Sequence, residues 1–208
     1  MEKSKNVLYI DDDVSKYMRK ELNKLKIPFE KECYLIQCEY MTFKAEDLNI
    51  VEKIVKKIQS EDILCVFIDS KLYVESKQDR TNGILIAYIL KGCFPFLNVF
   101  IVSSQTNSVD AMASNTFKFL KKFDKENDNE LVEQYISEIT NCIKDEREMK
   151  RAISYFTNTR ENGSINCEIE DEMQILLDKI NNKFDGNFLT NESFEKIIKL
   201  LEEAIDNE

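Results

Sequence analysis

Residues 63–70, ILCVFIDS, constrain this chain more than any other stretch. Every side chain from 63 to 68 is apolar, several are β-branched, and Asp69 follows at once. A short apolar run closed by a polar residue reads as a strand buried on both faces, as in a parallel sheet. The carboxylate then lies at the strand's carboxyl end, where open α/β sheets place their ligands. Taken alone, Asp69 reads as the cap of the following turn. Its company in the sequence argues for more.

Residues 7–10, VLYI, form a second apolar run, and it ends in Asp11, Asp12 and Asp13. Val14, Tyr17, Met18, Leu22 and Leu25 recur at helical spacing, and Ile27-Pro28 ends that helix. Residues 33–36 are a weaker strand, 39–47 an irregular loop, and 48–58 a helix with Val51, Ile54, Val55 and Ile58 on one face. After Asp69 a polar segment leads to Gly83 and a third helix at 84–90. Residues 99–102 make a strand ending in Ser103-Ser104, and 110–113 a short helix. Residues 117–120 make a fifth strand, ending in Lys121-Lys122-Phe123. Strands alternating with helices imply right-handed crossovers. The expected fold is a doubly wound, five-stranded parallel α/β sheet, flavodoxin-like with order 2-1-3-4-5, followed by an α-helical extension.

Composition removes whole classes of chemistry. There is no histidine, so Ser-His-Asp and Cys-His nucleophilic sites and histidine-ligated metals are excluded, and the chain cannot itself carry a phosphohistidine. The six cysteines are scattered without a C-x-x-C pair and read as reduced core thiols. No apolar run approaches the roughly 18 residues of a membrane span, and no signal peptide opens the chain, so a cytoplasmic protein without membrane contact is expected. The net charge of −10 is uneven. Residues 145–208 hold 8 Lys and Arg against 16 Asp and Glu, net −8, which disfavours nucleic acid as a partner.

Three strands thus end in carboxylates or hydroxyls and a fourth in lysine, and in a doubly wound sheet those ends converge. Clustered carboxylates repel one another unless a cation joins them, so a hard divalent ion such as Mg²⁺ is expected. A hydroxyl and an ammonium beside a metal-bound carboxylate suit a phosphoryl group, bound by positioning and charge neutralisation.

This arrangement resembles the receiver domain of bacterial two-component response regulators. VLYIDDD is similar to that family's first strand with its acid pair, and Asp69 falls where the phospho-accepting aspartate belongs. Ser103 matches the Thr or Ser after the fourth strand, and Lys121 the lysine of the Lys-Pro-Phe turn. The resemblance runs from residue 5 to about 143. It implies that Asp69 takes a phosphoryl group from a histidine kinase or phosphotransfer protein. It also implies that Asp12, Asp69 and the carbonyl of Lys71 hold Mg²⁺, with Asp11 acting through water. Lys121 would pair with a phosphoryl oxygen and Ser103 would hydrogen-bond it. Such a domain catalyses only its own phosphorylation and dephosphorylation.

Three departures qualify the match. Gly83 lies fourteen residues after Asp69 rather than about eight, an insertion of about six in the loop over the site. Lys122 stands where the family has proline. That leaves the register open between Lys121 and Lys122 as the functional lysine. The switch position three residues earlier is then Lys118 or Phe119.

The expected division is a receiver-like domain over 1–144 and an acidic helical extension over 145–208. An apolar stripe runs from Leu131 to Ile143 and continues thinly through Met149, Ile153 and Phe156. Two further amphipathic patterns follow, around Met173–Ile180 positions (173, 176, 177, 180) and around 194–205. Between them, residues 181–192 place Asp185, Gly186 and Glu192 at positions 5, 6 and 12 of an EF-hand-like loop, but Asn181 and Lys183 stand where carboxylates are wanted, so a plain turn between helices is preferred. Output is expected through protein contacts, either a homodimer or a downstream protein. The alternatives are an unphosphorylated receiver-like binding module and a phosphatase with Asp69 as nucleophile. Lys71 stands where such phosphatases want a second aspartate.

Overall fold

The computed structural model describes residues 3–11, 16–23, 25–29, 32–42, 50–72, 83–104, 116–123 and 129–161. In chain order the elements are β1 (Lys3–Ile10), α1 (Lys16–Leu22), β2 (Lys26–Phe29), β3 (Glu32–Met41), α2 (Ile50–Ser60), β4 (Ile63–Asp69), α3 (Gly83–Cys93), β5 (Asn98–Ser103), β6 (Lys118–Lys121) and α4 (Asn129–Glu161). The sheet order is β2-β3-β1-β4-β5-β6. Every pairing is parallel except β2 with β3. The five parallel strands therefore have the expected doubly wound order, with β4 third in sequence and central.

The sixth strand is a correction. Ile27 and Pro28 do not merely end a helix. Lys26 to Phe29 pair antiparallel with residues 32–35 of β3. A proline is tolerated there because β2 is an edge strand. β3 also outgrows its expected bounds, since it pairs with β1 from Lys3 to Ile10 without a break and takes in residues 39–41. The expected helix at 110–113 and the patterns beyond 161 lie outside the described residues.

All seven residues of β4 are buried, because helices cover both faces of the sheet. On one face Val7, Tyr9, Cys65, Phe67, Phe100 and Leu120 pack with α1 and α4 through Met18, Leu22, Leu131, Tyr135 and Ile139. On the other, Leu8, Ile10, Val66, Ile68 and Ile101 pack with α2 and α3 through Ile54, Ile58, Ile86 and Leu90. The alternation of residue number between the two clusters is the period-two geometry of a strand. Phe67 stacks on Phe100 with ring centroids 5.0 Å apart. Truncating such a ring to alanine costs about 3–5 kcal/mol.

The 33 residues of α4 make a rod about 50 Å long. It passes position 144 without interruption. Its apolar side is buried through Ile143, and Glu146 still reaches the sheet, bonding Lys5 at 2.6 Å. Beyond that point Lys150, Arg151 and Ala152 are exposed and Tyr155 is 67% exposed. Among the described residues no helix is long and apolar enough to cross a membrane. Cys38, Cys65, Cys93 and Cys142 are free thiols. Burial pushes Cys38 up to about 12 and Cys93 to about 11, so both stay protonated near neutrality.

Candidate functional site

The strand register brings the acidic groups together. Ile10 pairs with Ile68, so one step further Asp11 and Asp69 stand side by side at the carboxyl ends of β1 and β4. Both follow an odd-numbered series (Val7 and Tyr9, Cys65 and Phe67) that faces α1 and α4, so their side chains share that face. The Asp11 N–H is held by the Met41 carbonyl at 3.1 Å. Asp11 is fully buried and Asp69 nearly so. Two adjacent buried carboxylates are unfavourable without a cation between them.

Lys122 supplies one. Its Nζ donates to Asp11 Oδ1 and to Asp69 Oδ2, each at 2.7 Å. Burial alone would lower the Lys122 pKa, but the hydrogen bonds and charges of Asp11 and Asp69 outweigh it and raise the pKa above its ordinary value. The other oxygen of Asp69, Oδ1, accepts the Lys71 N–H at 3.1 Å and the Ser70 hydroxyl at 3.5 Å. The Ser70 N–H in turn is fixed to the Val102 carbonyl at 2.8 Å. The nucleophile candidate is thus oriented through both oxygens.

Of the two lysines that the sequence left open, Lys122 rather than Lys121 meets the carboxylates, and the reason is alternation. Leu120 pairs with Val102 on the face shared by Asp69, and Lys122 is the next residue of that parity. Lys121 follows Phe119 onto the opposite parity and is exposed. A slip of one residue exchanges the two faces, which two adjacent lysines cannot reveal in sequence. The residue three positions before the site lysine is accordingly Phe119, half-buried against the α2 and α3 side of the core.

Ser103 is buried at the end of β5, and its carbonyl accepts the Lys122 N–H at 3.0 Å. Lys71 is exposed, and it meets Asp69 through its backbone N–H. Asp12 and Asp13 lie outside the described residues, as do residues 73–82, where the resemblance implied an insertion. Gly83 opens α3 and lies close to the end of β4. Its N–H donates to the Ser70 carbonyl at 3.2 Å, and a Cβ there would overlap the Asp69 carbonyl oxygen. This close approach explains why the chain returns from its insertion on a glycine.

Two tyrosines complete the crevice that sequence reasoning did not connect to it. Tyr9 is buried two residues before Asp11 on the same face. Burial, then the nearby Tyr135, Asp11 and Asp69 and a hydrogen bond with Asp11, raise its pKa far above the ordinary tyrosine value. Tyr135 on α4 donates its hydroxyl to the Lys121 carbonyl at 3.0 Å, and burial raises its pKa strongly as well. The period-two spacing of Tyr9 and Asp11 was the available signal. Nothing local marked Tyr135.

The donor set suits a hard divalent cation. All its acceptors are oxygens, and Asp11 Oδ1 and Asp69 Oδ2 lie no more than twice 2.7 Å apart because they share one ammonium. Among the described residues no third carboxylate or thiol joins them.

No family model matches the chain, and no curated protein matches it. Among solved structures it is similar to the apo receiver domain of nitrogen regulatory protein C, with 13% identity, a TM-score of 0.45, and coverage of 67% of this chain and 94% of that one. It is similar to NtrX from Brucella abortus, with 19% identity and a TM-score of 0.45, over 71% of this chain and 30% of that one. It is also similar to the response regulator TrrA from Thermotoga maritima in complex with Mg²⁺-BeF, with 15% identity and a TM-score of 0.40, over 65% of this chain and 98% of that one.

Proposed function

We propose that this chain is a phospho-accepting receiver of two-component signal transduction, with Asp69 as the acceptor. One observation supports the reading above the rest. A single ammonium, from Lys122, is bonded at 2.7 Å to carboxylates at the ends of two adjacent parallel strands, in the crevice of a doubly wound sheet.

In the proposed reaction a carboxylate oxygen of Asp69 attacks the phosphorus of a phosphohistidine on a histidine kinase or phosphotransfer protein. The P–N bond breaks, the electron pair leaves with the imidazole, and an acyl phosphate forms. This chain has no histidine, so the phosphohistidine is carried by a different chain. Asp12, Asp69 and the Lys71 carbonyl would hold Mg²⁺, with Asp11 acting through water; bound there, the ion supplies charge neutralisation for the phosphoryl oxygens. Lys122, paired with Asp11 and Asp69 beforehand, keeps its proton and donates a charge-assisted hydrogen bond to a phosphoryl oxygen. The Lys71 N–H and Ser70 hydroxyl keep Asp69 oriented for attack. Ser103 is the proposed hydroxyl donor to the phosphoryl group.

Incubation with acetyl phosphate and Mg²⁺ should add one phosphate to the intact mass, labile to hydroxylamine, and Asp69→Asn should abolish it. Uptake undiminished in Asp69→Asn would move the acceptor elsewhere. The rival reading, an unphosphorylated binding module of the same fold, draws on the same ion pair: Lys122 neutralises part of the crevice charge with no metal. Absence of uptake from any donor would favour it.

The proposed output is protein contact through the exposed end of α4 and the residues that follow it, as a homodimer or with a downstream protein. Its support is that α4 continues past its last buried residues with Tyr155 exposed. Light scattering of the full chain with and without beryllofluoride tests the homodimer, which an unchanging monomer in both states rules out.

A further inference from the structure

The peptide unit between Lys121 and Lys122 is held at both polar ends. Its carbonyl accepts the Tyr135 hydroxyl at 3.0 Å, and its N–H donates to the Ser103 carbonyl at 3.0 Å. This unit matters because it sets the direction in which the Lys122 side chain leaves the backbone, and that side chain must reach two carboxylates at once. β6 is four residues long and is bonded on one side only, to β5.

The clamp itself is rigid. Tyr135 is fully buried, and its ring packs against Phe67 at 5.0 Å and Phe123 at 4.9 Å between centroids. A phenylalanine would fill that space without a polar atom to satisfy, so the hydroxyl is tolerated in the core because it is bonded.

We infer that Tyr135 is a positioning residue for Lys122, fixing through one hydrogen bond the peptide that aims the ammonium between Asp11 and Asp69, and so joining α4 to the acidic crevice. The geometric part stands without the receiver reading. Its consequence for phosphoryl uptake rests on that reading.

The test uses the full chain, labelled with ¹⁵N-lysine. The Lys122 ammonium, protected by two carboxylates, should give a resolved NMR signal that Lys122→Met removes. Tyr135→Phe should broaden or shift that signal while cooperative melting is retained, and replacing the Tyr135 hydroxyl by an amino group, which keeps a donor, should restore it. An unchanged Lys122 signal in Tyr135→Phe overturns the inference. In the unsubstituted chain the Lys122 amide should exchange with deuterium as slowly as the amides of β5; exchange at open-loop rates overturns the inference even if the variant does not fold. With acetyl phosphate, Tyr135→Phe should slow uptake on the order of tenfold, and should add no further loss in a Lys122→Met background. Equal losses in both backgrounds would make Tyr135 merely structural. If the unsubstituted chain takes up no phosphate, the receiver reading fails and the ammonium signal still decides the role of Tyr135.

Discussion

The two ends of the sheet each hold a lysine–carboxylate cluster, with opposite imbalances of charge. At the carboxyl end two carboxylates, Asp11 and Asp69, share one ammonium, and the side chains are 0%, 8% and 22% exposed. At the amino end one carboxylate, Glu146, is shared by two ammonium groups, Lys5 and Lys150, each at 2.6 Å. There Lys5 and Glu146 are 12% and 20% exposed and Lys150 is 67% exposed. The amino-end cluster fastens α4 to β1 and needs nothing more. The carboxyl-end cluster holds two carboxylates on one ammonium, a formal excess of negative charge that favours a further cation.

Removing Lys122 should break the contrast most severely. Lys122→Met leaves two buried carboxylates without their shared ammonium and should destabilise the chain by about 3 kcal/mol, measured by urea denaturation. Millimolar Mg²⁺ should recover part of the loss. A variant as stable as the parent would mean that the carboxyl-end charges are not in conflict.

Gly83→Ala comes next, since the added methyl must displace the Asp69 backbone. It should cost about 2 kcal/mol and impair phosphoryl uptake beyond what Ala elsewhere in α3 does. At the amino end, Glu146→Gln should cost only about 1 kcal/mol and leave uptake unchanged. A larger loss there, or a loss of uptake, would show the two ends to be coupled.

The pH dependence sharpens the comparison because the two clusters fail in opposite directions. Burial opposes the charge of Glu146, but Lys150 and Lys5 overcome it and hold its pKa below the ordinary value. Its contribution is therefore present above that ordinary value and is lost as pH falls through the lower folded value. The Lys122 pKa is raised, so its contribution is complete below the ordinary lysine value and is lost as pH rises through the higher folded value. Melting from pH 2 to 7 should separate Glu146→Gln from the parent chiefly toward neutrality, with the difference shrinking in acid. Lys122→Met should differ from the parent by a constant amount from neutrality up to about pH 10, in melts extended to that pH.

The smallest effect is expected on the projecting half of α4. Tyr155→Ser should change monomer stability by less than about 0.5 kcal/mol, as differential scanning calorimetry would read. A change several times larger would mean that Tyr155 is packed in the monomer rather than offered to solvent.

Much of the carboxyl end was legible from residues alone. Apolar runs closed by Asp11 and Asp69 pointed to buried strands with acidic ends, and the absence of histidine left carboxylates, lysines, hydroxyls or thiols for any chemistry. The amino end was not legible, because the Lys5–Glu146 pair joins positions 141 apart in the chain and neither residue carries a local signal. β2 was missed for a related reason. Four residues containing a proline become a strand only because β3 offers them an open edge.

The sequence by itself determined the alternation of strands and helices, the parity that puts Tyr9 with Asp11 and Phe67 with Asp69, and the convergence of charged groups that follows from a doubly wound sheet. The choice of Lys122 over Lys121 needed the tertiary structure. Two adjacent lysines are chemically identical in sequence, and only the pairing of Leu120 with Val102 selects which of them faces the carboxylates. The placement of Tyr135 was likewise decided in three dimensions, because a helix delivers its side chains to whatever strand end its packing angle brings beneath it.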